Sequence, residues 1–78
     1  MVTEKHPRIS IDARVCHEKP VVRGTRVLVA NILGALAAGQ SRREILEDYP
    51  PITDADIDAA LEFATHMAQF ESFDYVAA

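Results

Sequence analysis

Residues 27–54 read VLVANILGALAAGQSRREILEDYPPITD, and a change of period inside this stretch decides the fold. From Val29 onward, apolar residues recur at intervals of three and four: Val29, Ile32, Leu33, Leu36 and Ala37. That spacing lines one face of a helix. Gly39 then stands as a left-handed C-cap. Ser41-Arg42-Arg43-Glu44 has capping-box spacing, with Ser41 set to take the N3 amide and Glu44 to reach back to the Ser41 amide. The helix opened there is brief, because Ile45, Leu46 and Tyr49 run into Pro50-Pro51. Thr53 caps a third helix, expected from Asp54 to about Phe70, with Asp54 and Asp56 suited to the dipole at its start. Its apolar stripe is expected through Ile57, Leu61, Ala64 and Met67 or Ala68, widened by Ala60, Phe63 and Phe70. Three helices with tight connections have the outline of a helix-turn-helix.

Upstream the period is two. Arg8-Ile9-Ser10-Ile11-Asp12 alternates as a short half-buried strand does. Val21-Val22 and then Val27-Leu28-Val29 read as strand, interrupted by Arg23-Gly24-Thr25-Arg26, and Val21-Val22 is placed to pair with residues 9–11. Residues 1–7 are polar, end in Pro7 and are expected to fray. An isolated hairpin is marginal in water, so this arm requires a helix or a second chain beneath it. The fold expected is therefore mainly α: a β-hairpin arm over residues 1–28, a three-helix helix-turn-helix bundle over 29–70, and a tail over 71–78.

With 78 residues, the sequence has the length of one domain with a limited core. Cys16 is the only cysteine, so no internal disulfide adds support, which leaves dimerisation or a partner to do so. The hydrophobic share of 49% is too high for general disorder. The apolar run from Val27 to Ala38 is too short to span a bilayer, and the first seven residues have no apolar secretion segment. A cytoplasmic protein without a membrane anchor is expected.

Charge is distributed unevenly. All eight Lys and Arg lie within residues 1–43 against three acids, a balance of +5, while residues 44–78 hold nine acids and no Lys or Arg, or −9. The two halves together give the net −4. The first half suits phosphate, and the second suits a basic surface and repels nucleic acid.

The candidate contact residues follow from that division. In Arg23-Gly24-Thr25-Arg26, Gly24 allows a positive φ and Thr25 can bond a nearby backbone amide, so both arginines stand on fixed stems. Such a turn makes a phosphate site from amides and guanidinium groups. The plainer reading is a hairpin turn whose arginines are solvated or paired with Glu18 and Asp12. Arg42 and Arg43 stand at a helix start, where the dipole disfavours them. That placement points to use on a phosphate or an acidic partner, or to solubility alone. Nucleic-acid contacts are thus assigned to Arg23, Gly24, Thr25, Arg26, Arg42 and Arg43, with Arg8 weaker.

The third helix argues against reading bases with its own face. Base edges call for Arg, Lys, Asn or Gln, and this helix offers Asp54, Asp56 and Asp58, with Glu62 beyond. Asp54, Asp58 and Glu62 are spaced by four and form one acidic stripe. In the tail, Phe70, Phe73 and Tyr75 are assigned to a partner; the segment either packs back on its own bundle or extends into a partner's groove. His6, His17 and His66 are scattered, and Cys16-His17 has no second pair to complete a metal site. With no acid/base dyad, nucleophile constellation or Gly-rich nucleotide loop, neither an enzyme nor a bound cofactor is expected.

Three ordered motifs between Lys19 and about Thr65 resemble one family. Pro20-Val21-Val22-Arg23-Gly24-Thr25-Arg26-Val27 is similar to its P-v-h-x-G-T-R-h signature. Ala38-Gly39-Gln40-Ser41, followed by Ile45-Leu46-Glu47-Asp48-Tyr49-Pro50, resembles its second motif, and Ile57 to Ala64 its third. The family is the domain of unknown function 433. The resemblance implies a small bacterial helix-turn-helix protein, often dimeric, in which Gly24, Thr25 and Arg26 form the signature turn. It further implies an antitoxin role beside a PIN-like ribonuclease toxin; contact with operator DNA, for autorepression, is expected from the basic first half rather than from the resemblance. The competing reading is a dimeric protein-interaction module that does not bind DNA.

Overall fold

The computed structural model describes residues 2–12 and 19–69. Strand β1 (Val2–His6), β2 (Ile9–Asp12) and β3 (Val21–Val22) form a three-stranded antiparallel sheet in that spatial order. They precede α1 (Val29–Ala37), α2 (Arg42–Asp48) and α3 (Asp54–Ala68). The mainly α plan expected from the sequence, a β arm followed by three helices, is the plan the chain adopts.

Two expectations about the arm need correction. Residues 2–6 do not fray but pair with β2, Val2 opposite Asp12, Thr3 opposite Ile11 and His6 opposite Ile9, with an irregularity between Thr3 and His6. Val27-Leu28-Val29 does not continue β3. Leu28 forms only an isolated bridge to Val21, flanked by Val22 N–H on Val27 O and Val29 N–H on Pro20 O, and Val29 is already the first residue of α1. The pairing of Val21-Val22 with β2 is present, Ile9 opposite Val22 and Ser10 opposite Val21.

Each helix end has a visible cause. Leu28 offers no side-chain cap to α1, so the carbonyl of Pro20 accepts from the first helical amide, Val29 N–H, at 3.0 Å. At the other end Gln40 N–H donates to Ala35 O and Gly39 N–H to Leu36 O, both at 3.0 Å, while Gly39 has φ +92°. This is the Schellman closure that a left-handed residue permits. The α2 capping box is complete: Glu44 N–H donates to Ser41 Oγ at 3.1 Å and Ser41 N–H to Glu44 Oε1 at 2.8 Å. After Tyr49 the chain turns, with Ile52 N–H on Tyr49 O at 3.0 Å, and α3 begins behind Thr53.

The core joins all three helices to β2 and β3. Ile9 and Val22 from the sheet, Val29 and Ile32 from α1, Ile45 from α2, Ile52, and Ile57, Ala59 and Ala60 from α3 are buried together. Burying one such aliphatic side chain contributes roughly 1.5–3 kcal/mol. Tyr49 packs at the edge of this cluster, where it seals the turn into α3.

The buried face of α3 is rotated from the expected stripe. Asp56, Ile57, Ala59 and Ala60 are inside, with Phe63 and Ala64 half-buried, whereas Leu61 is 39% and Met67 53% exposed. In an alanine-rich helix the large apolar residues bias a periodicity reading, but packing is set by which side meets α1 and β2. Ala59 and Ala60 belong to the buried core despite their small size.

Candidate functional site

The Arg-Gly-Thr-Arg turn is closed from inside by its own hydrogen bonds. Thr25 N–H donates to Val22 O at 3.0 Å, and Gly24, the third of the four turn residues, has φ +81°. A positive φ at that position is what a type II turn requires, and glycine adopts it without strain. Thr25 Oγ1 donates to Val22 O at 2.8 Å and accepts from Val27 N–H at 2.9 Å, while Val22 N–H reaches Val27 O at 2.9 Å. The threonine hydroxyl is therefore committed to the loop's backbone on both its donor and acceptor sides.

Arg23 is committed too. Its Nε donates to Pro7 O at 2.6 Å and its Nη2 to Ile9 O at 3.2 Å, and its backbone N–H donates to Arg8 O at 2.7 Å. The guanidinium thus clasps the β1–β2 connection against the turn. From the same connection, Arg8 Nη1 lies 3.2 Å from Asp56 Oδ1 at the start of α3. Asp56 is 6% exposed, and its other oxygen accepts from Thr53 N–H at 2.9 Å and from Thr53 Oγ1 at 3.2 Å. One buried carboxylate therefore caps α3 and anchors the β arm to it. Among the described residues, no buried side-chain polar atom lacks a partner.

Asp56 and Arg8 form the pair that sequence reasoning misses. It gives Asp56 only to the helix dipole, and Arg8 only to weak phosphate contact. A signal exists in Thr53-Asp54-Ala55-Asp56: Thr53 and Asp56 stand three apart, as Ser41 and Glu44 do, which turns the acidic side chain back toward the cap. Its ionic partner lies 48 residues away and leaves no local trace.

Arg42 lies across the α2–α3 corner. Its Nη1 is 2.8 Å from Asp54 Oδ1 and its Nη2 is 2.7 Å from Asp58 Oδ1, so one guanidinium spans two rungs of the acidic stripe. Hydrogen bonding to Asp54 first, and then to Asp58, raises the Arg42 pKa above its ordinary value. The unfavourable position of this arginine at a helix start is offset by carboxylates from the next helix. Its neighbour Arg43 is 88% exposed and comes only to 4.0 Å from Glu47. Arg26 is exposed at the end of the signature turn. The structure therefore places Arg23, Gly24, Thr25 and Arg8 in one cluster and Arg42 and Arg43 at a separate corner. Phe70, Phe73 and Tyr75 lie outside the described residues.

The outer face of α1 differs from both corners. Ala30, Gly34 and Ala37 are exposed and none carries charge. A Cβ at Gly34 meets nothing within 4 Å, so no close approach inside the described chain requires glycine there.

The described residues enclose no pocket and contain no group of three or more His, Cys, Asp or Glu placed to hold a metal ion. None of their helices is long and apolar enough to cross a membrane.

The model of a protein family of unknown function, DUF433, matches residues 9–64 of this sequence. The chain belongs to the DUF433 family. The match begins at Ile9 in β2 and ends at Ala64 in α3, so it takes in the signature turn, both cap motifs and the Asp56 anchor. It omits β1, which the sequence also fails to signal. No curated protein and no solved structure matches this DUF433 chain.

Proposed function

We propose that this DUF433 protein is the antitoxin of a type II toxin–antitoxin pair, a cytoplasmic bacterial homodimer that binds and neutralises a PIN-like ribonuclease toxin. A protein partner, rather than bases read by α3, is supported by the state of that helix's exposed start. Asp54 and Asp58 face outward there and hold Arg42 between them. Carboxylates in this position repel a phosphate backbone and lack the donors that guanine and adenine edges require. The acidic second half of the sequence suits a basic surface, and a ribonuclease presents one wherever it grips RNA phosphates.

Coexpression of the tagged chain with its flanking reading frames tests this directly. A stable complex with a PIN-like protein, together with loss of that protein's ribonuclease activity, is the expected result. Recovery of the chain alone as a dimer would remove neutralisation from the reading.

Operator binding for autorepression is the second part of the proposal. It is favoured by the exposure of Arg26 and Arg43, which leaves both side chains within reach of solvent. Arg26→Ala with Arg43→Ala is expected to weaken binding to the chain's own promoter. The slope of log affinity against log salt should become shallower by roughly 0.9 for each phosphate no longer neutralised. Unchanged affinity and slope, with a weakened dimer instead, would support the module that never meets DNA.

A further inference from the structure

No further inference is drawn: the strongest candidate, the uncharged outer face of α1 formed by Ala30, Gly34 and Ala37, carries nothing because no feature among the described residues shows what covers it.

Discussion

Two arginines reach carboxylates on α3, and they do so in different surroundings. The arginines are similarly exposed, 49% for Arg8 and 40% for Arg42, but Arg8 meets Asp56, whose side chain is 8% exposed, whereas Arg42 meets Asp54 and Asp58, at 66% and 63%. Arg42 has the shorter distances, at 2.8 and 2.7 Å against 3.2 Å for Arg8. Distance alone would rank the exposed corner first. Burial reverses that ranking, because water and salt screen the outer pair while a carboxylate inside has few alternatives to its protein partners. The lesson concerns removal: deleting an exposed partner returns the other to solvent, and deleting a buried one leaves polar groups stranded.

The largest expected effect comes from breaking the inner site at its hub. Asp56→Ala removes the α3 cap and the anchor of Arg8 together, and is expected to cost about 2–4 kcal/mol in a urea melt followed by circular dichroism. A loss below that of a simple cap, about 1 kcal/mol, would show that Arg8 adds nothing through Asp56. Arg8→Ala should fall between these limits, since it strands Asp56 Oδ1 but leaves the bonds to Thr53 intact.

The turn that holds Arg23 against the β1–β2 connection comes next. Thr25→Val keeps the shape but loses the hydroxyl that joins Val22 O to Val27 N–H, and should cost about 1–2 kcal/mol in the same melt, with Thr25→Ser restoring most of it. Gly24→Ala has open space around the added methyl, so its cost reduces to the positive φ, on the order of 1–2 kcal/mol. Gly24→Asn should be milder, because Asn tolerates that conformation better than Ala. Equal losses for Ala and Asn would mean that the turn has a constraint other than backbone conformation.

Arg42→Ala is expected to have the smallest effect on stability, and its signature is salt dependence. The difference between Arg42→Ala and the unaltered chain should vanish near 1 M salt, where the screening length is about 3 Å. The Asp56→Ala difference should persist there. If both differences vanished together, the contrast between a buried and an exposed carboxylate would be wrong for this molecule.

Much of the fold is legible in the sequence because its signals are local. The Ser41–Glu44 box, the Gly39 closure and the stop at Pro50-Pro51 are each settled by groups no more than five residues apart, and each stands where the spacing places it. β1 is not legible, since Val2-Thr3-Glu4-Lys5-His6 has no alternation of its own and becomes strand by hydrogen bonding to β2. The face of α3 is legible only in part, because Leu61 and Met67 outweigh Ala59 and Ala60 in any count of hydrophobicity. For the candidate site, the sequence points to Thr25 and to the backbone amide it bonds, but for Arg23 and Arg42 it does not give what they hold. Their partners include the carbonyls of Pro7 and Ile9 and the carboxylates of Asp54 and Asp58.

By itself, then, the sequence determined the helices, the Gly39 closure of α1, the α2 capping box and the tight turn around Gly24, since backbone geometry and near-neighbour hydrogen bonds dictate these. Only the tertiary structure decided which charges meet. Arg42 lies 12 and 16 residues from its carboxylates, and Arg8 lies 48 from Asp56. No local pattern encodes such distances; they arise when packing of the apolar core brings α2 and the β arm against α3, and burial then sets how much each pair matters.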